Sequence, residues 1–152
     1  MSGANVMNHL GQCVSDLERS RAFYEKALGF TFWRLLELDD QPSDQLLQLQ
    51  APLGFRACYL KQGSFVLELL HFAGEGAAPG PYRARTMNEL GLTHISLSVD
   101  DIPATCALVE QYGGEVVRAT ALDTGACFVR DPDGQLIELL PMAYAERVAA
   151  EG

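Results

Sequence analysis

The chain contains two copies of one pattern, and that duplication limits its possible folds more than any other feature. NHLGQCVSDLERSRAFYEKALGF (residues 8–30) and THISLSVDDIPATCALVEQYGGEV (residues 93–116) align at a constant offset. His9 falls on His94, Val14 on Val99, Asp16 on Asp101, Leu17 on Ile102, Ala22 on Ala107, Glu25 on Glu110 and Gly29 on Gly114. A second pair, ACYLKQGSFVLELL (57–70) and ACFVRDPDGQLIELL (126–140), aligns once a longer turn is allowed, and it puts Glu68 on Glu138. Independent matches in the same order mark a repeated structural unit.

Each copy reads as a short strand, a helix and then several strands. His9 to Val14 and His94 to Val99 are strand-like. Ser15 with Glu18 has the form of a capping box, and Asp101 with Pro103 in the first turn marks another helix start. Gly29 and the pair Gly113–Gly114 stand where helices stop, and Leu17, Tyr24 and Leu28, like Ile102, Cys106 and Val109, recur at helical spacing. FTFWRLLEL, QLLQLQ, RACYL and SFVLELLHF in the first half, and EVVRAT, ACFVRD and LIELLP in the second, are expected strands of a mainly antiparallel sheet. The segment 73–91, AGEGAAPGPYRARTMNELG, reads as a linker or lid.

A chain of 152 residues, 48% of them apolar, can bury a core without disulfides or structural metal. Cys13, Cys58, Cys106 and Cys127 form no C-x-x-C pair, and the first ten residues have neither a basic nor an apolar leader region, so a reduced, cytoplasmic protein is expected. No apolar run approaches the ~20 residues of a membrane helix. The formal charge of −9 disfavours nucleic acid and anionic lipid as partners.

The chemistry concentrates at repeated positions. Glu138 lies inside the apolar run Leu136, Ile137, Leu139, Leu140, and strand alternation puts it on the face of Leu136 and Leu140, expected to be the buried side. A carboxylate there is costly unless a positive group pairs with it. Glu68 occupies the same slot in the first copy, and His9 and His94 are two of the three histidines. Equivalent inward-facing positions of a two-fold duplication converge near its pseudo-axis, which predicts a divalent metal held by His9, Glu68, His94 and Glu138. Imidazole nitrogen with carboxylate oxygen suits zinc, nickel, cobalt, manganese or iron. His71 lies on the opposite face from Glu68 by parity and is expected to be structural.

From residue 6 to 141 the sequence resembles the vicinal oxygen chelate superfamily, which includes glyoxalase I, methylmalonyl-CoA epimerase, extradiol dioxygenases and the bleomycin and fosfomycin resistance proteins. The resemblance is carried by NHLGQCVSDLERSRAFYEKALGF, the VLEL around Glu68, GLTHISLSVDDI and FVRDPDGQLIELL. It implies an α+β fold of paired βαβββ modules cupped around one divalent ion, with modules at 6–72 and 92–141 in a single domain spanning 1–152. It also implies a homodimer whose subunits can share a site. The set His9, Glu68, His94, Glu138 is similar to that of glyoxalase I members; the epimerase pattern has Gln where Glu68 stands.

The glyoxalase pattern has an Arg four residues after the first His and an Asn four after the first Glu, both holding glutathione. Here those positions are Cys13 and Phe72, so the glutathione contacts are not matched. Arg34, Arg83 and Arg85 are alternative grips for an anionic substrate. By analogy with glyoxalase I, Glu138 first and Glu68 second are the expected bases, removing a proton next to a carbonyl while the ion stabilises the enediolate. The implied activity is that of a lyase or isomerase on a small molecule with adjacent oxygens. Acyl-CoA epimerisation, iron-dependent ring opening and non-catalytic drug binding are the alternatives.

Overall fold

In the computed structural model, which describes residues 5–77, 79–80 and 82–151, the two copies fold into the same strand order. The first contains β1 (Leu10–Cys13), helix α1 (Leu17–Leu28), β2 (Thr31–Leu38), helix α2 (Asp40–Leu47), β3 (Phe55–Gln62) and β4 (Phe65–Phe72). The second contains β5 (Ile95–Val99), helix α3 (Ile102–Gln111), β6 (Glu115–Val117), β7 (Cys127–Arg130) and β8 (Leu136–Pro141), followed by helix α4 (Met142–Glu151). The sheets run β1-β4-β3-β2 and β5-β8-β7-β6. In each, the first strand pairs parallel with the last and the remaining pairs are antiparallel. The expected paired βαβββ, α+β architecture is therefore present.

Contacts group the described chain into two compact units, one from Met1–Arg21 with Gly29–Gly80 and the other from Ala22–Leu28 with Pro81–Gly152. In the first unit, Cys58, Leu60, Leu67 and Leu69 are buried on one sheet face. On the other face Phe55, Ala57 and Tyr59 form a buried cluster with Leu53 and Ala77, against which Leu36, Leu47, Leu70 and Phe72 pack. The segments that cover this face approach backbone to backbone: a Cβ on Gly74 would lie 1.8 Å from the Pro52 carbonyl oxygen, so only glycine fits there. In the second unit the core is Ile95, Val109, Val129, Ile137 and Leu139. Truncating the fully buried Ile137 or Leu139 to alanine costs about 2–5 kcal/mol.

Helix starts follow the sequence with one change. Asp101 caps α3, its Oδ1 accepting from Ala104 N at 2.8 Å, with Pro103 in the first turn. In α1 the capping acceptor is Asp16, not Ser15: its Oδ1 takes Arg19 N at 3.0 Å, while Ser15 Oγ accepts from the Arg19 guanidinium. The backbone bonds hold the Asp16 carboxyl below the usual carboxylate range, the Arg19 N–H first among them.

Three expectations for secondary structure are corrected. QLLQLQ is not a strand; its first leucines end the kinked helix α2, and Gln48 closes that helix in the left-handed region at φ 55°. Asp40 Oδ1 accepts from Leu53 N at 2.8 Å, tying the helix start to the buried cluster. EVVRAT holds strand geometry only through Val117 and then forms a 3-10 turn, Arg118–Thr120. Helix α4 follows β8 beyond the last anticipated element.

Candidate metal-binding half-sites

Each copy brings one imidazole against one carboxylate. His9 directly precedes β1, and the parallel pairing of β1 with β4 sets Gly11 opposite Glu68. The result is a His9 Nε2 to Glu68 Oε2 distance of 2.9 Å, with the carboxylate side chain 12% exposed. In the second copy His94 precedes β5, Ser96 lies opposite Glu138, and His94 Nε2 stands 3.7 Å from Glu138 Oε2.

Strand parity is as the sequence predicts, but the Glu138 face of β8 is the less buried of its two faces. Leu67, Leu69, Ile137 and Leu139 are fully buried, whereas Glu68 and Glu138 share the half-buried face with Leu70 and with Leu136 and Leu140. Glu138 sits on the less buried side of its sheet, where solvation offsets much of the cost of the charge, whereas Glu68 shares its face with the buried Phe55, Ala57 and Tyr59. A hydroxyl also meets each carboxylate. The Tyr59 hydroxyl donates to Glu68 Oε1 across β3 and β4, and the Ser96 hydroxyl donates to Glu138 Oε2 at 2.7 Å across β5 and β8. The sequence reading missed both, because neither is matched between the copies: Tyr59 aligns with Phe128 and Ser96 with Gly11, and cross-strand register is the signal that finds them.

Tyr59 is the hub of the first half-site. His9 and Trp33 meet its ring edge-on at 5.8 and 5.9 Å, and the Arg34 guanidinium lies 4.5 Å from its centroid. Burial, reinforced by the bond to Glu68, pushes its phenol up to about 12, so it remains a proton donor throughout the physiological range. In the second half-site Phe128 meets His94 edge-on at 5.3 Å. Thr93 Oγ1 lies 2.8 Å from His94 Nδ1. With the ring proton on Nδ1 and donated to Thr93, the lone pair of Nε2 is available to a cation.

By donor chemistry each pair fits a borderline divalent ion, with nitrogen and oxygen donors side by side. Among the described residues no three His, Cys, Asp or Glu side chains form a metal-holding group. Each copy thus presents a two-donor unit.

The remaining sequence candidates are engaged elsewhere. Arg83 Nη2 bonds Glu89 Oε2 at 2.8 Å, and this contact holds the Glu89 carboxyl below its usual range. Arg85 donates to the carbonyls of Leu92, Glu89 and Leu90, bracing its own loop. Phe72 stacks on Phe55 with ring centroids 4.9 Å apart. His71 lies off the Glu68 face, its Nδ1 buried without a hydrogen-bond partner among the described residues. No helix of the described residues is long and apolar enough to cross a membrane.

Residues 6–139 match the sequence model of the Glyoxalase/Bleomycin resistance protein/Dioxygenase superfamily. The chain is 34% identical to the lactoylglutathione lyase of Salmonella typhimurium, covering 88% of this chain and 90% of that one. It is 30% identical to a probable lactoylglutathione lyase of Vibrio parahaemolyticus, covering 92% of each. Among solved structures, the trypanothione-dependent glyoxalase I of Leishmania major superposes with a TM-score of 0.70 at 25% identity, covering 97% of this chain and 95% of that one.

Proposed function

The chain belongs to the glyoxalase, bleomycin resistance protein and dioxygenase superfamily, and from that membership we propose that it is a metal-dependent lyase or isomerase of the glyoxalase I type. The observation that carries this reading is the repeated pairing of imidazole with carboxylate, His9 with Glu68 and His94 with Glu138, at equivalent places in both copies. The residues that would hold one divalent ion, whether zinc, nickel, cobalt, manganese or iron, are His9, Glu68, His94 and Glu138. When bound, such an ion stabilises the negative charge that develops on a substrate oxygen as a neighbouring C–H proton leaves.

The chain's own groups supply the proton transfer. Glu138 is the base: Ser96 steadies its Oε2, while Oε1 carries no hydrogen bond among the described residues and is open to a substrate proton. Glu68 is the second candidate, but both of its oxygens are engaged, by Tyr59 and His9. The same carboxyl returns the proton to the adjacent carbon, which converts a hemithioacetal into a hydroxyacyl thioester without net redox change.

The substrate has oxygens on adjacent carbons, and its carrier thiol is gripped differently from glutathione. The two positions that hold glutathione in the glyoxalase pattern are Cys13 and Phe72, and Phe72 is committed to its stack on Phe55. We place the enzyme in the cytoplasm as a homodimer. Support for self-association comes from β2 at the edge of its sheet, where Phe32, Trp33, Leu35 and Leu38 are each at least 36% exposed.

The test combines metal analysis of protein purified without added metal with deuterium exchange at the α-carbon of hemithioacetals formed from several thiols. Stoichiometric metal and exchange with at least one thiol are expected. A chain that binds no transition metal and exchanges no α-proton overturns the reading.

A further inference from the structure

Register exposes a difference between the copies that the repeat conceals. Across the first sheet, one row runs Gly11, Glu68, Tyr59, Arg34. The equivalent row of the second sheet runs Ser96, Glu138, Phe128, Val117. Both carboxylates receive a hydroxyl, but from opposite sides. Glu68 takes it from the antiparallel neighbour β3, where the second copy has Phe128; Glu138 takes it from the parallel neighbour β5, where the first copy has Gly11.

The consequence is two carboxylates with unequal freedom. Glu68 is fixed at both ends, Oε1 by Tyr59 and Oε2 by His9. Glu138 is tethered at one end, since Ser96 and His94 both face Oε2. A carboxylate bonded at both oxygens holds its rotamer, whereas one bonded at a single oxygen can pivot about that anchor. Resting on the functional reading above, we infer that Tyr59 and Ser96 are positioning residues with different tasks: Tyr59 locks Glu68 as a fixed metal ligand, and Ser96 anchors Glu138 by one oxygen so that the other can take up the substrate proton.

The second copy also supplies a control. Gly11 lies outside the left-handed region, and a Cβ there would lie 3.4 Å from Leu70 Cδ1 and 3.6 Å from Glu68 Oε2, the oxygen that faces His9. Gly11→Ser can therefore present to Glu68 the hydroxyl that Ser96 presents to Glu138.

The experiment uses the full chain and titrates cobalt or zinc against a chromophoric chelator. Tyr59→Phe should weaken metal binding roughly 10- to 100-fold, the usual effect of losing a partner that orients a ligand, and the double variant Tyr59→Phe/Gly11→Ser should not regain that loss, because its hydroxyl meets Oε2 and leaves Oε1 unheld. Ser96→Ala should lower kcat while KM and metal affinity stay near the parent values, and Ser96→Thr should restore kcat. Unchanged metal affinity in Tyr59→Phe, or a Ser96→Ala loss confined to KM, overturns the division of tasks. If the unsubstituted chain binds no metal, the functional reading fails, and crystal structures of the metal-free proteins decide this inference separately. Glu68 in one rotamer in the parent and in several in Tyr59→Phe supports it; one rotamer in both overturns it.

Discussion

The hydroxyl of Tyr24 donates to Oδ2 of Asp131 at 3.0 Å, joining two residues 107 positions apart, both buried. Asp131 also accepts at Oδ1 from the backbone N–H groups of Asp133 and Gln135, so one carboxylate shapes the turn before β8 and fastens α1 to it. That turn sets the start of the strand carrying Glu138.

Replacing Tyr24 with Phe removes this donor and keeps the ring. A buried hydrogen bond to a charged group contributes about 1.5–3 kcal/mol. Tyr24→Phe should therefore lower unfolding free energy by about 2 kcal/mol in urea titration, with the slope unchanged.

Glu138→Gln keeps an oxygen that can accept from Ser96 but cannot take a proton. Turnover should fall roughly 10²–10⁴-fold, with the circular dichroism spectrum of the parent. Retained activity would remove Glu138 from the role of base.

Ser20 is fully buried in α1, and its Oγ has no hydrogen-bond partner among the described residues. Alanine removes an unsatisfied hydroxyl and is the better helix former. Ser20→Ala should stabilise the chain by about 1 kcal/mol, raising Tm by roughly 2–4 °C. Calorimetry is the check, and destabilisation would mean the hydroxyl has a partner in solution.

The Asp16 cap makes stability depend on acid. Its carboxyl is held below the usual value of 3.8, so the folded state binds its proton less readily than the unfolded one. The contribution is present above that value and is lost as pH falls through the lower folded pKa. Asp16→Asn keeps an acceptor at the helix start without the titrating group, so the parent's stability advantage over it should shrink as pH falls below about 4 in parallel melts.

Burial, the hydrogen bond with Cys127 and its proximity push the Cys106 thiol up to about 11. Only about one molecule in a thousand then carries the reactive thiolate at pH 8. In timed iodoacetamide labelling read by peptide mass, exposed Cys13 should react well before Cys106.

Much of this was legible in the sequence because it is local and periodic. The doubled His and Glu slots, the alternation that put Glu68 and Glu138 between buried leucines, and the Asp101 helix start all depend on residues within a few positions of one another. Where local patterns are degenerate, the reading failed. In QLLQLQ the leucine spacing is compatible with either a strand or the end of a helix, and the burial of Leu53 and its bond to Asp40 accompany the helix. How deeply each sheet face is buried was equally hidden, since alternation distinguishes two sides without saying how much of either the rest of the chain covers.

The sequence by itself determined that two like modules exist and that each carries one imidazole and one carboxylate at matching positions. Tertiary structure alone decided which side chains stand beside those carboxylates. A bulge between Phe32 and Arg34 shifts β2 so that Arg34 comes opposite Tyr59, and the β3–β4 register sets Tyr59 opposite Glu68. The physical reason is that side-chain period is a property of one strand, whereas lateral neighbours are fixed by pairing between strands, which turns and bulges set and no single segment encodes.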